Sequence, residues 1–193
     1  MKLSVIITNY NKSPMIQYLI SYFNRKNRDD IEIICIDDNS NEIIENWGNI
    51  KIIKNNENLG IGKVRQQGLD YSKGEYIVFI DGDDIPLENY LDEILKAIKT
   101  KADIYEFLAI NYPWGDILDD PGMVWNKVYK RDFILTHKCK FPNWRGGEDI
   151  LFNQKVYSYQ PIVEKIPQIL YIYNILNHFI DIISISSSFY FLR

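Results

Sequence analysis

Three carboxylates stand almost side by side at Asp81, Asp83 and Asp84, directly after the apolar run of residues 76–80. Core packing does not call for such a cluster, and the charges repel one another unless something positive sits among them. Carboxylate oxygens are hard ligands that suit Mg2+ or Mn2+, so the run reads as a buried strand that delivers a metal site at its end. Asp81 and Asp83 fall on the same side of an extended tip, because side chains alternate with period two, and Gly82 between them permits a close ligand approach. These ions keep few protein ligands and complete their shell from water and substrate phosphates, which implies a phosphate-bearing substrate. An acidic turn that only solvates a strand end is the other reading of these residues taken alone. An EF-hand loop is excluded, since its fifth position would be Ile85 and no glutamate stands at its twelfth.

The elements that must position this tip follow from the apolar pattern. Residues 3–8 form a β-branched run without polar alternation, as expected of a strand buried on both faces of a parallel sheet. Ser13 before Pro14 suits a helix start, and residues 14–25 carry Ile16, Leu19, Ile20 and Phe23 on one face. Residues 31–36 predict a second buried strand that ends at Asp37 and Asp38, and residues 50–53 a third. Residues 62–72 predict a helix with Arg65 near its start, closed by Gly74; Pro86 then opens another helix with Leu87, Leu91, Ile94, Leu95 and Ile98 at helical spacing. Repeated crossovers of this kind build a parallel sheet whose ligands lie outside the carboxyl ends of its strands, and Thr8, Asp38 and Asp81 all fall at that edge. Beyond Lys101 the pattern loosens. Strands are expected over residues 104–110, 124–129 and 168–173, helices over 131–136 and 148–157, and a loop covering the site over 111–123.

Composition narrows the function class. The 193 residues suffice for one domain with a sizeable core. The chain divides into residues 1–110, carrying the metal tip, residues 111–174, a second half of the same domain, and an apolar extension over 175–193. With 22 basic and 26 acidic side chains the net charge is −4, which excludes a surface built to bind nucleic acid. Lys127, Lys130, Arg131, Lys138, Lys140 and Arg145 crowd one segment and leave a local anion site open. Cys35 and Cys139 lack metal-ligand spacing and read as structural in a reducing, cytoplasmic setting. No signal peptide is evident at the start. Residues 179–192 are apolar but interrupted by Asp181 and several serines, and fall short of the roughly 20 residues of a membrane span. That leaves a peripheral membrane contact, or a contact with a second copy, open for the C-terminus.

Six segments in order resemble the family 2 inverting glycosyltransferases of the GT-A fold: SVIITNYNK at residues 4–12, CIDDNS at 35–40, NLGIGKVRQQG at 58–68, IDGDD at 80–84, WNKVYKR at 125–131 and GGEDILF at 146–152. The resemblance covers residues 3–173. It implies a single α/β, Rossmann-like GT-A domain with a mostly parallel central sheet flanked by helices, a nucleotide-sugar donor (a UDP-sugar), a glycan or lipid-linked acceptor, and Mn2+ or Mg2+ as cofactor.

By the same resemblance Thr8, Tyr10 and Asp38 hold the nucleotide base, Arg65 steadies carboxylates or phosphate, Asp81 faces the ribose and Asp83 binds the metal. Asp84 reaches the donor sugar or shapes the tip. Asp149 is the general base, and Trp125, Lys127 and Glu148 lie on the acceptor side. The near helix N-terminus favours the anionic form of Asp149, though a capping carboxylate is an equally simple reading of its position. Two other classes stay open from sequence: a non-catalytic sugar-nucleotide binding module, and a metal-dependent phosphatase with Asp81 as nucleophile. The second lacks a hydroxyl residue two places beyond Asp83.

Overall fold

The structure is a computed structural model and describes residues 1–12, 15–26, 28–44 and 48–176. Expectations for Ser13, Pro14 and residues 179–192 lie outside the described residues. One nine-stranded sheet carries the chain, in the order β3-β2-β1-β4-β8-β6-β9-β5, with β7 paired to β6. β1 (Leu3–Asn9) lies between β2 (Ile31–Asp37) and β4 (Tyr76–Asp81), parallel to both, and β3 (Lys51–Lys54) extends this parallel half beyond β2. β8 (Lys127–Lys130) runs antiparallel between β4 and β6 (Ile104–Tyr112), so β6 and its parallel neighbour β9 (Val163–Asn174) point the same way as β4. The carboxyl ends of β1, β2, β4, β6 and β9 therefore share one edge.

The absence of polar alternation in β1 and β4 has a direct cause: both faces are covered. Val5, Ile7, Val78 and Ile80 point into a core with α1 (Met15–Lys26) and α3 (Tyr90–Ala97), where Ile16, Leu19, Leu91 and Ile94 are buried. Ile6, Ile77 and Phe79 point to the other face, against Leu69 of α2 (Ile61–Tyr71), Ile134 of α4 (Arg131–Thr136) and Phe152 of α5 (Glu148–Tyr157). Cys35 and Cys139 are buried thiols, and burial pushes Cys35 up to about 12.

The structure departs from the expected elements at four places, the first being the last strand, which begins at Val163 and not at residue 168. Pro86 does not open a helix: β5 (Ile85–Pro86) pairs with β9 through Ile85–Ile172 and Pro86–Tyr171, and helix α3 begins at Tyr90. The missing N–H of proline suits a two-residue edge strand as well as a helix start. The strand expected from residue 124 begins only at Lys127, whose N–H closes a turn on the Val124 carbonyl. The loop of residues 111–123 holds a short hairpin in which β7 (Ile117–Leu118) pairs with Ala109 and Ile110, latched by hydrogen bonds between Asn111 and Asp116. Strand β6 also runs through residue 110, so the two halves meet inside a strand. No helix among the described residues is long and apolar enough to cross a membrane.

Candidate active site

A cavity of about 600 Å3 opens at the shared carboxyl edge. Thr8, Tyr10, Asp38, Arg65, Asp81, Asp83, Trp125, Glu148 and Asp149 line it. Strand register explains the floor. Thr8 at the end of β1 lies opposite Asp81 of β4, and its hydroxyl donates to Asp81 Oδ1 at 3.0 Å.

Arg65 reaches into the same place from the first turns of α2. Its Nη2 donates to both Asp81 oxygens, at 2.8 and 2.9 Å, the two-oxygen recognition for which a planar guanidinium is suited. Nη1 pairs with Glu148 and stands 3.9 Å from Asp149 Oδ2. One buried cation thus joins carboxylates from β4 and from the first turn of α5. Burial works against its charge, but Asp81, Glu148 and Asp149 outweigh this and hold the guanidinium above its ordinary pKa. Burial raises the Glu148 carboxyl above the usual range, with the Arg65 charge opposing that shift. The chain enters α5 through Gly147 at φ +74, a left-handed backbone that glycine adopts without strain. Asp149 then accepts the N–H of Ile150 at 2.9 Å.

The acidic tip folds back on β1. Asp84 N–H donates to the Asp81 carbonyl at 3.0 Å, and a Cβ on Gly82 would lie 2.6 Å from the Thr8 carbonyl oxygen, so no side chain fits there. Asp83 turns into the cavity, with its Oδ2 buried and accepting no hydrogen bond among the described residues. Lys12 Nζ meets that oxygen's charge from 3.0 Å. Asp38 is embedded in the wall, accepting the N–H groups of Leu59 and Gly60 at 2.9 and 2.8 Å and the Asn55 amide at 2.9 Å. It thereby ties the end of β2 to the loop that starts α2.

Two of the residues singled out in the sequence do not face the cavity. Asp84 is fully buried and accepts from the Tyr171 hydroxyl at 2.9 Å and the Asn174 N–H at 2.7 Å. It anchors the tip to β9 and does not reach a donor sugar. Burial, with Asp81 and Asp83 nearby, drives its carboxyl well above the usual range. Lys127 is equally buried, and its ammonium donates to the carbonyls of Asp120 and Met123 and to Asn126 Oδ1 at 2.7–2.9 Å. Those bonds hold the segment that carries Met123 and Trp125 to the cavity from behind. Its place in the acceptor-side set is therefore corrected to that of an anchor. Trp125 stacks on Tyr171 and Tyr173, at centroid distances of 5.5 and 5.1 Å, whereas Trp114 and Trp144 are exposed.

Among the cavity residues to which sequence reasoning assigned no role are Lys12, Asn58, Arg145 and Tyr173. Arg145 donates to the side chain and carbonyl of Asn58, at 2.6 and 3.1 Å, and so links two rim segments. Its membership of the basic cluster was a signal; Tyr173 gave none, because only the β6–β9 pairing brings it there. Asp81, Asp83, Glu148 and Asp149 face only Arg65 and Lys12 as buried or partly buried cations among the residues named, so the centre of the cavity is acidic. No group of three or more His, Cys, Asp or Glu side chains among the described residues is arranged to hold a metal unaided. A cation bound at Asp83 would need oxygens from elsewhere and would take the place of the Lys12 ammonium at the buried Oδ2.

The family model for glycosyl transferase family 2 matches residues 4–145. A putative glycosyltransferase, EpsH of Bacillus subtilis, is 27% identical over 209 aligned positions, covering 89% of this chain and 60% of that protein. The cholesterol galactosyltransferase of Borreliella burgdorferi is 30% identical, covering 81% of this chain and 55% of its own length. The chain thus spans little more than half the length of these curated relatives. Among solved structures, residues 1–349 of S. aureus TarS in complex with UDP-GlcNAc superpose with a TM-score of 0.80 at 21% identity, over 90% of this chain and 58% of that one. The mannosyltransferase PcManGT from Pyrobaculum calidifontis, in complex with GDP-Man and Mn2+, gives 0.67 at 16% identity, over 89% and 56%. These likenesses carry the fold, and the matched model carries the family: the chain belongs to glycosyl transferase family 2 and has the GT-A fold.

Proposed function

We propose that this chain moves a sugar from a nucleoside diphosphate donor, a UDP-sugar, to a hydroxyl of a glycan or lipid-linked acceptor, with inversion and with the help of a divalent metal. The observation that carries the reading is the Arg65 bridge. It holds Asp81 of the tip and the Glu148–Asp149 pair of α5 in one cavity, so a donor-side and an acceptor-side carboxylate share a single reaction space. The UDP-GlcNAc in the TarS complex and the GDP-Man and Mn2+ in the PcManGT complex support the donor class and the metal.

In this reading residues 1–110 supply the nucleotide half and residues 111–174 the acceptor half. Tyr10, exposed on the rim, offers its ring to the base, beside Thr8 and Asp38. Asp81, locked by Arg65 and Thr8, faces the ribose. Asp83 would hold the cation, which would supply charge stabilisation for the departing diphosphate. Glu148 keeps Arg65 in place, and Trp125 with Tyr173 forms the apolar wall on the acceptor side. Asp149 takes the proton from the acceptor hydroxyl as that oxygen attacks the anomeric carbon opposite the leaving group. A single in-line displacement inverts the configuration at that carbon. The bidentate hold of Arg65 on Asp81 disfavours the phosphatase alternative, because the carboxylate it needs as nucleophile is already tied down.

Two substitutions separate the roles. Asp149→Asn should leave UDP binding with Mn2+ nearly unchanged in calorimetry while lowering transfer by about 10²- to 10⁴-fold. Asp83→Asn should lose the Mn2+-dependent part of UDP binding. Equal loss of UDP binding in both variants would sink this division.

A further inference from the structure

Lys12 ends the first sequence motif, and its carbonyl accepts the N–H of Ile16 at 3.1 Å, so its backbone is tied to the start of α1. Its ammonium stands 3.0 Å from Asp83 Oδ2, the side chains being 19% and 3% exposed. That oxygen is buried in the cavity wall and accepts no hydrogen bond among the described residues. The lysine therefore sits where a divalent cation at Asp83 would also have to sit. Two positive charges cannot share one buried carboxylate oxygen at such distances without strong repulsion. Of the cationic side chains that line the cavity, Arg65 and Lys12 differ in build. Arg65 is fixed by a two-oxygen clamp, whereas the ammonium of Lys12 is a compact charge on a flexible four-carbon stem, with cavity on one side.

We propose that Lys12 is a resident counter-ion of Asp83 that yields its place only when a diphosphate offers the ammonium other oxygens, so that divalent cation and nucleotide bind as a coupled pair. The inference rests on the reading of Asp83 as metal ligand. Without nucleotide, a cation must break the Lys12–Asp83 ion pair to reach the carboxylate. With a nucleoside diphosphate present, phosphate oxygens accept the ammonium through charge-assisted bonds, and Asp83 is released to the metal. Linkage makes the effect reciprocal: the metal raises nucleotide affinity by the factor by which nucleotide raises metal affinity. Lys12 is in these terms a positioning residue. It keeps Asp83 neutralised and aimed in the donor-free protein.

The test measures Mn2+ binding to the full chain from the electron paramagnetic resonance signal of the free ion, with and without saturating UDP, for the wild type, Lys12→Gln and Lys12→Arg. Without UDP, Lys12→Gln should bind Mn2+ about tenfold more tightly than wild type, and Lys12→Arg should stay close to wild type. The enhancement of Mn2+ affinity by UDP should shrink in Lys12→Gln and persist in Lys12→Arg. Unchanged or weaker Mn2+ binding by Lys12→Gln, while the wild type still takes Mn2+ with UDP, overturns the coupling and leaves the reading of Asp83 intact. Absence of Mn2+ binding by the wild type even with UDP removes both. A melting curve reports whether Lys12→Gln folds; if it does not, Lys12→Met, which keeps the apolar stem, carries the same comparison.

Discussion

Arg65 and Lys127 show how differently two buried cations are used. Arg65 faces three carboxylates that reach it from two elements, Asp81 from β4 and Glu148 and Asp149 from α5, so its removal leaves them in a partly desolvated space without that counter-charge. Arg65→Met should cost on the order of 3–5 kcal/mol of stability, read from urea unfolding; a loss below 1 kcal/mol would mean that the carboxylates repack or protonate at little cost. Lys127 has neutral acceptors for its three bonds, and burial pulls it down from 10.5 to about 8. The sign of its pH effect follows. Between pH 8 and 10.5 the unfolded chain holds the proton and the folded chain does not, so stability from this group rises with pH across that window and is flat below it. The wild-type-minus-Lys127→Met difference in unfolding free energy should therefore rise over pH 8 to 10. A flat or falling difference would show that the ammonium stays charged when folded.

At the scale of elements, the helices bring the site to the sheet and glycines set how closely. A Cβ on Gly68 would lie 2.2 Å from Ile6 Cγ2, so α2 rests directly on β1, and Arg65 lies one turn earlier on the same buried face. Gly68→Ala should lower stability by roughly 1–3 kcal/mol through overpacking and weaken UDP binding as Arg65 is lifted from Asp81; paired urea titration and UDP calorimetry check both, and a variant destabilised with unaltered UDP affinity would uncouple helix seat from site. Elements such as these were legible in the sequence where local pattern suffices. The unbroken apolar runs of β1, β2 and β4 require cover on both faces, and α4 and α5 have the expected bounds. Pro86 misled because the N–H that proline lacks is equally dispensable at a helix start and on an edge strand. Asp84, Lys127 and Lys12 were visible as charges, but the side to which each turns depends on partners such as Tyr171, the Asp120 carbonyl and Asp83, which only the folded sheet brings near. The family motifs located the cavity wall without revealing these directions.

At the scale of the molecule, the cavity joins both halves of one sheet: Thr8, Arg65 and Asp81 come from the parallel half, while Trp125, Glu148, Asp149 and Tyr173 come from beyond it. The aromatic stack of Trp125 on Tyr171 and Tyr173 and the Asp84 bonds to β9 tie the tip to that second half. A ligand bound here therefore cannot stabilise one half and leave the other to unfold alone. On the proposed reading, UDP with Mn2+ at 100 times its dissociation constant should add about 2.7 kcal/mol to stability. For a domain of this size each kcal/mol moves the midpoint by about 2–4 °C, so melting should shift upward by roughly 5–10 °C as a single transition. The shift should appear equally in tryptophan fluorescence and in far-ultraviolet circular dichroism, since three of the four tryptophans, Trp114, Trp125 and Trp144, lie in the second half and the parallel strands β1 to β4 in the first. Fluorescence that melts at its ligand-free temperature while the dichroism shifts would separate the halves and remove the cavity as a shared site.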